Sequence, residues 1–234
     1  MMEEMLYEQP LADSRRMRAY ASNAMEVVFY DHDGRPADKW HHYLEIYDRY
    51  LSRYRGQRVR LLEIGVQRGG SLQVWKRYLG GGAKIQGLDI DPKSSYAESQ
   101  ITVVTGSQSD AACLRAIAWS TPEPLDVVID DGSHLAADQL ATFATLYPLI
   151  AENGVYICED VHTAYWQGNG QFLVLMKKLV DQLHAWYVDG ADLNIARSTY
   201  AIHFYDSCIV VEKRLKERPF RAVVGAPPER TNET

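Results

Sequence analysis

Residues 127–134 read VVIDDGSH, an apolar run that ends in Asp130 and Asp131 and carries His134 three positions beyond the second carboxylate. Residues 154–160, GVYICED, end in Glu159 and Asp160 in the same way. Open α/β sheets bind their ligands beyond the carboxyl ends of the strands, so both runs point at a site. If they are neighbouring strands, Asp131, Glu159 and Asp160 converge as a set of hard oxygen donors, which suits Mg2+ better than zinc. Glu159 and Asp160 would face opposite sides of a regular strand, so the chain must turn there for both to reach one ion. His134 is expected at the start of the next helix with Ser133 as N-cap, where a neutral imidazole can take a proton from a hydroxyl beside the metal. His162 is the alternative base. An isolated D-G-S-H would be a turn and a helix cap; the acidic pair on the adjacent run favours chemistry.

A second group lies earlier in the chain. In LLEIGVQRGGS (61–71), a strand runs through Glu63 and Gly65 into a turn with Gly69, and a helix starts near Ser71. Glycines allow close backbone approach, and a helix amino terminus offers free N–H groups. The spacing is neither the dinucleotide G-x-G-x-x-G nor a phosphate-binding Walker loop. Asp89, in GLDID, follows about 20 residues later, where an acidic side chain can accept from both ribose hydroxyls of an adenosine-containing cofactor; Asp91 is its rival. Tyr165 and Trp166 either line an acceptor pocket or simply pack. His41 and His42 are too close in sequence to share a metal and read as helix surface, unless the leader folds over the cofactor.

The elements that must position these residues alternate. Apolar runs at 59–64, 84–90, 101–106, 125–130 and 154–160 are separated by helical or polar stretches, the pattern of a parallel sheet with helices on both faces. Residues 200–213 add two β-rich runs around YDS, as an antiparallel hairpin would. The expected fold is a Rossmann-like, doubly wound α/β sheet of seven mostly parallel strands with a C-terminal antiparallel hairpin. Trp40, Tyr43, Leu44, Tyr47 and Leu51 recur at helical spacing ahead of it, and Gly56 stands where that helix stops. Residues 1–35 are polar and irregular, an arm or lid; a helix is expected near 169–187; residues 216–234 form a flexible tail.

With 234 residues, 46% of them hydrophobic and 24% charged, the chain has material for one well-cored domain. A net charge of −6 with scattered Lys and Arg excludes the footprint of a nucleic-acid binder. No apolar stretch approaches the ~20 residues of a membrane-spanning helix, and the first 20 residues have acidic residues where a secretory signal would carry positive charge, so a cytoplasmic protein with no membrane partner is expected. Cys113, Cys158 and Cys208 are widely spaced and in apolar settings, as buried thiols are.

These motifs resemble the class I S-adenosylmethionine-dependent methyltransferases, and more narrowly the magnesium-dependent O-methyltransferases that act on deoxysugars of macrolides and related natural products. LLEIGVQRGGSLQVW, GLDIDPKS, GSQSD, VVIDDGSHLAADQ, ICEDVHTAYW and IHFYDSCIVVEK follow that family's order over roughly residues 38–213. The resemblance implies S-adenosylmethionine and Mg2+ as cofactors and a methyltransferase domain over residues 36–215. It places Asp131, Glu159 and Asp160 on metal-ligand positions and His134 on the catalytic base. Glu63, Gly65 and Asp89 fall on cofactor positions, with Gly69, Ser71 and Asp130 beside them and Gln108 and Asp110 near the adenine side; Tyr165 and Trp166 are set for substrate. The implied substrate is a small glycosylated natural product carrying a rhamnose-like sugar. The implied assembly is a homo-oligomer, with the aromatic leader helix as candidate interface. The longer sugar enzymes carry a large amino-terminal domain, whose substrate contacts are not carried over. A phenolic, catechol or polyketide acceptor, or a protein like the cephalosporin hydroxylase group, would use similar residues. A non-catalytic cofactor-binding subunit would need no base, and a dinucleotide dehydrogenase would need the missing fingerprint.

Overall fold

The computed structural model describes residues 14–166, 168 and 170–225. Its seven strands form one sheet in the order β3-β2-β1-β4-β5-β7-β6. β1 (Val59–Ile64), β2 (Ala83–Asp89), β3 (Ile101–Thr105), β4 (Leu125–Asp130) and β5 (Ile150–Cys158) run parallel. β6 (Thr199–Phe204) and β7 (Ile209–Lys213) form the antiparallel hairpin, with β7 paired to β5. The strand order reverses between β1 and β4, the switch point at which such sheets open a crevice for ligands.

The apolar runs become central strands because both of their faces are covered. Every residue of β1 is buried, as a strand sandwiched between helix layers must be. On one face, Met25, Tyr43, Tyr47 and Trp75 pack from the helices Ala24–Tyr30, His41–Leu51 and Gly70–Leu79. On the other, Leu114, Phe143, Phe172 and Met176 pack from Ala111–Ala118, Ala136–Leu146 and Gln171–Leu183. Burial of such large side chains contributes roughly 1.5–3 kcal/mol each.

Three expectations are corrected. The described part of the leader is helical rather than irregular, with helices Ser14–Ala19 and Ala24–Tyr30. The second is started by Asn23, whose side chain accepts from the Glu26 N–H at 2.9 Å while the Glu26 carboxylate accepts from Ser22 N–H at 2.7 Å, and fully buried Met25 anchors it. The leader helix His41–Leu51 turns Tyr43, Tyr47 and Tyr50 into the chain's own core, which removes those rings from any interface. Trp40 precedes that helix instead of belonging to it. Residues 1–13 of the expected arm and 226–234 of the expected tail lie outside the described residues. Among the described residues no helix is long and apolar enough to cross a membrane.

Strand register prepares the site. Ile64 pairs with Asp130, and Asp130 with Cys158. The next residue on each strand, Gly65, Asp131 and Glu159, therefore leaves the sheet at one level.

Candidate cofactor and metal site

A cleft of about 1000 Å³ opens over these strand ends. At one end lies the turn between β1 and the helix Gly70–Leu79. Asp89, at the end of β2, holds this turn: its Oδ2 accepts from the N–H groups of Val66 and Gln67, each at 2.9 Å, and its Oδ1 accepts from Asp91 N–H at 2.9 Å. Asp89 still lines the cleft, so a carboxylate fixed by three backbone donors borders that space. Asp91, its rival, lines the cleft as well.

The glycines of the turn are needed chiefly against protein backbone. Gly65 sits at φ +89°, and a Cβ there would lie 1.9 Å from the carbonyl oxygen of Asp131. A Cβ on Gly70 would meet the carbonyl oxygens of Arg35 and Pro36 at 2.2 and 2.3 Å. The turn is thus pressed between the β4 loop and the segment of residues 35–40.

At the other end of the cleft, Asp131, His134 and Asp160 bring one ligand atom each within 4.8 Å of the others. His134 Nε2 stands 3.9 Å from Asp131 Oδ1 and 3.7 Å from Asp160 Oδ2. Both His134 and Asp160 adopt left-handed backbone, at φ +57° and +50°, conformations that cost energy in a non-glycine residue and recur at functional sites. The left-handed turn at Asp160 is the bend that lets Asp160 and Glu159 serve one region. It is braced by Tyr43, whose hydroxyl lies 2.8 Å from Asp160 Oδ1 and accepts from Asp160 N–H at 3.2 Å. Thr163 Oγ1 donates to the carbonyls of His134 at 3.1 Å and Asp160 at 2.9 Å, tying the two outliers together.

Lys39 occupies the middle of the carboxylates. Its ammonium donates to Asp131 Oδ2 and to Glu159 Oε2 at 2.9 Å, and lies 3.5 Å from Glu63 Oε1. The lysine side chain is 4% exposed. Burial alone would lower its pKa, but Asp131, Glu159 and Glu63 outweigh burial and hold the ammonium well above its ordinary range. Burial, then the charge of Asp131, pushes the Glu159 carboxyl well up against the pull of Lys39. Burial likewise raises Asp131 and Glu63. Clustered acidic oxygens, partly neutralised by one cation, are a donor set that fits a hard divalent ion.

Of the expected site residues, Gly65, Ser71, Asp89, Gln108, Asp131, His134, Glu159 and Asp160 line the cleft. The others do not. Glu63 is fully buried, accepting from Ser71 Oγ at 2.7 Å, while its second oxygen has no hydrogen bond. Gly69 caps the helix behind the turn. Asp110 caps Ala111–Ala118 through the N–H groups of Ala112 and Cys113. Asp130 faces inward, accepting from Tyr156 at 2.6 Å and Gln108 at 3.1 Å, and burial raises its pKa to about 6. Tyr165 is exposed on the short helix Thr163–Trp166, and Trp166 packs edge-on against His162 at 4.7 Å.

His162 lies 3.9 Å from Asp160 but outside the cleft, whereas His134 lines it. His134 precedes the helix Ala136–Leu146 rather than starting it; Ser133 Oγ accepts from Leu135 N–H and donates to Asp138. His41 and His42 have separate partners, Tyr30 and the Asp206 carbonyl.

Lys39, Arg35 and Tyr43 were missed from sequence. Lys39 lies 92 and 120 residues from Asp131 and Glu159, and nothing in ADKWHHY marks it.

Residues 62–161 match the model of a family described as a methyltransferase domain. The chain is 37% identical over 199 residues to 8-demethyl-8-alpha-L-rhamnosyl tetracenomycin-C 2'-O-methyltransferase of Streptomyces olivaceus, covering 76% of this chain and 52% of that protein. It is 37% identical over 221 residues to demethylmacrocin O-methyltransferase of Streptomyces fradiae, covering 80% and 55%. Among solved structures, MycE methyltransferase from the mycinamycin biosynthetic pathway, in complex with Mg, SAH and mycinamycin VI, superposes with a TM-score of 0.71 at 33% identity, over 88% of this chain and 54% of that one. The chain spans about half the length of the curated relatives it matches.

Proposed function

Residues 62–161 belong to the methyltransferase domain family, and from that premise we propose that the chain is an S-adenosylmethionine- and Mg2+-dependent O-methyltransferase acting on a sugar hydroxyl of a glycosylated natural product. The observation that carries the reading is His134 beside Asp131 and Asp160 at one end of a cleft whose other end is the Asp89-held turn. The name of the tetracenomycin relative, which specifies an alpha-L-rhamnosyl substrate, favours a sugar over a phenol.

Asp131, Glu159 and Asp160 would hold the ion, and Asp89 with the Gly65–Ser71 turn would hold the nucleoside. Bound Mg2+ supplies Lewis acidity that favours loss of a proton from an acceptor hydroxyl, and S-adenosylmethionine supplies the methyl group. His134 Nε2 takes the hydroxyl proton. Asp131 and Asp160 stabilise the imidazolium that results, at 3.9 and 3.7 Å. Thr163 and Tyr43 keep base and carboxylate in their strained positions, so little reorganisation is left for the reaction.

The test is a thermal-shift grid of S-adenosylhomocysteine and NAD, each with Mg2+ or EDTA, followed by turnover on rhamnosylated and phenolic acceptors. A ligand at about 100 times its Kd stabilises by about 2.7 kcal/mol. Stabilisation by S-adenosylhomocysteine with a further rise from Mg2+, and turnover of the sugar acceptor, is expected. Stabilisation by NAD alone would overturn the methyltransferase reading, and turnover of the phenol alone would overturn the acceptor. Sedimentation of the same preparation reads the proposed homo-oligomer.

A further inference from the structure

The segment from Arg35 to Trp40 crosses the whole cleft. At its first end, Arg35 donates from Nε to the Gly69 carbonyl at 3.1 Å and from its backbone N–H to Gln73 Oε1 at 2.8 Å. At its last end, Lys39 is inserted among carboxylates from three neighbouring strands: Glu63 on β1, and Asp131 and Glu159 just beyond β4 and β5. The next residue, Trp40, also lines the cleft and is 38% exposed, with its ring 6.2 Å from His162.

One ammonium cannot neutralise three carboxylates. Lys39, Glu63, Asp131 and Glu159 together carry two excess negative charges when all are ionised, and Glu63 Oε1 keeps no hydrogen bond. Buried charge left in excess of its counter-charge is costly, and a divalent cation would balance it where one lysine does not. The lysine also uses the oxygens an ion would need: its N–H groups go to Asp131 Oδ2 and to both oxygens of Glu159. Two cations cannot share those lone pairs at contact distance, because their mutual repulsion in a poorly solvated site is large.

We propose that Lys39 is a built-in competitor for the divalent ion, holding Asp131 and Glu159 in place without it and withdrawing from between them when it is held. The proposal rests on the metal-dependent reading above. Lys39 thereby sets the metal affinity of the site, and its withdrawal carries Trp40 with it.

The test is isothermal titration of the full chain with MgCl2 after EDTA treatment and desalting, comparing wild type with Lys39→Met, which keeps the apolar stem and drops the charge. The variant is expected to bind Mg2+ at least tenfold more tightly. Equal or weaker binding by a folded variant would overturn the proposal and leave the metal-dependent reading intact. Uptake by the variant alone would mean that Lys39 excludes the ion and does not withdraw for it, which would overturn the proposal and remove Mg2+ from the wild-type reading. No uptake by either would overturn both. A second measurement needs no change at Lys39: the Mg2+-dependent change in tryptophan emission should be present in wild type and largely lost in Trp40→Phe. An unchanged signal in Trp40→Phe, in a sample that binds Mg2+, would show that the segment stays put and would equally overturn the proposal.

Discussion

The two ends of the cleft treat their carboxylates in opposite ways. At the proposed cofactor end, Asp89 is met by three backbone N–H groups, so its charge is answered by dipoles of the turn it holds. At the acidic end, Glu63, Asp131 and Glu159 share one lysine, one Glu63 oxygen has no hydrogen bond, and the nearby His134 and Asp160 sit in costly backbone conformations. Fixed dipoles would suit the nucleoside proposed for the first end, and charge that is not already neutralised would suit the proton removal proposed for the second.

The comparison can be broken most severely at His134. His134→Ala should lower turnover by roughly 10²–10⁴-fold while the stabilisation by S-adenosylhomocysteine stays as in wild type, because the histidine touches none of the groups that hold the turn. Wild-type turnover in this variant would take the base role away from His134.

The seam between the two ends is Gly65. Gly65→Ala forces a Cβ against the Asp131 carbonyl at a left-handed φ, and a loss of about 3 kcal/mol is expected, seen as a fall in Tm of roughly 6–12 °C. A variant that melts with the wild type would mean that the two loops are not packed as tightly as described.

The smallest effect sharpens the cofactor end alone. Glu98 accepts from Lys76 at 2.8 Å, Gln73 at 3.0 Å and Arg35 at 3.2 Å, and Lys76 first among these holds its carboxyl below the usual range. A depressed carboxyl contributes stability that is full above the pKa of an unfolded glutamate and is lost as pH falls through the lower native value. Glu98→Gln should therefore cost about 1 kcal/mol at neutral pH, and the gap in Tm should close on acidification below the ordinary glutamate range. A gap that persists in acid would assign the effect to shape, not charge.

How much of this was legible in the sequence follows from how local each cause is. β1 and β4 were placed residue for residue, because each is a largely buried apolar run with a turn residue at its border, Gly65 after β1 and Pro124 before β4. β5 was started at Gly154, yet it begins at Ile150: Glu152 and Asn153 are exposed beside a register shift and carry no apolar signal. The leader read as irregular because its helices are short and one buried methionine does most of the anchoring. Asp131, Glu159, Asp160 and His134 were legible from their strand ends; Asp130, one residue before Asp131, was not separable from it until the strand showed which side each faces. Lys39 carries no local mark, since its partners are brought to it only by the assembled sheet.

The level strand ends at Gly65, Asp131 and Glu159 have a consequence for recombining this chain with its relatives. A crossover between β1 and β5 would join loops that were fitted to each other in different proteins, at a seam with no room for a methyl group. The stretch from Gly65 to Asp160 is therefore best inherited as a single cassette, and functional chimeras should have their breakpoints outside it.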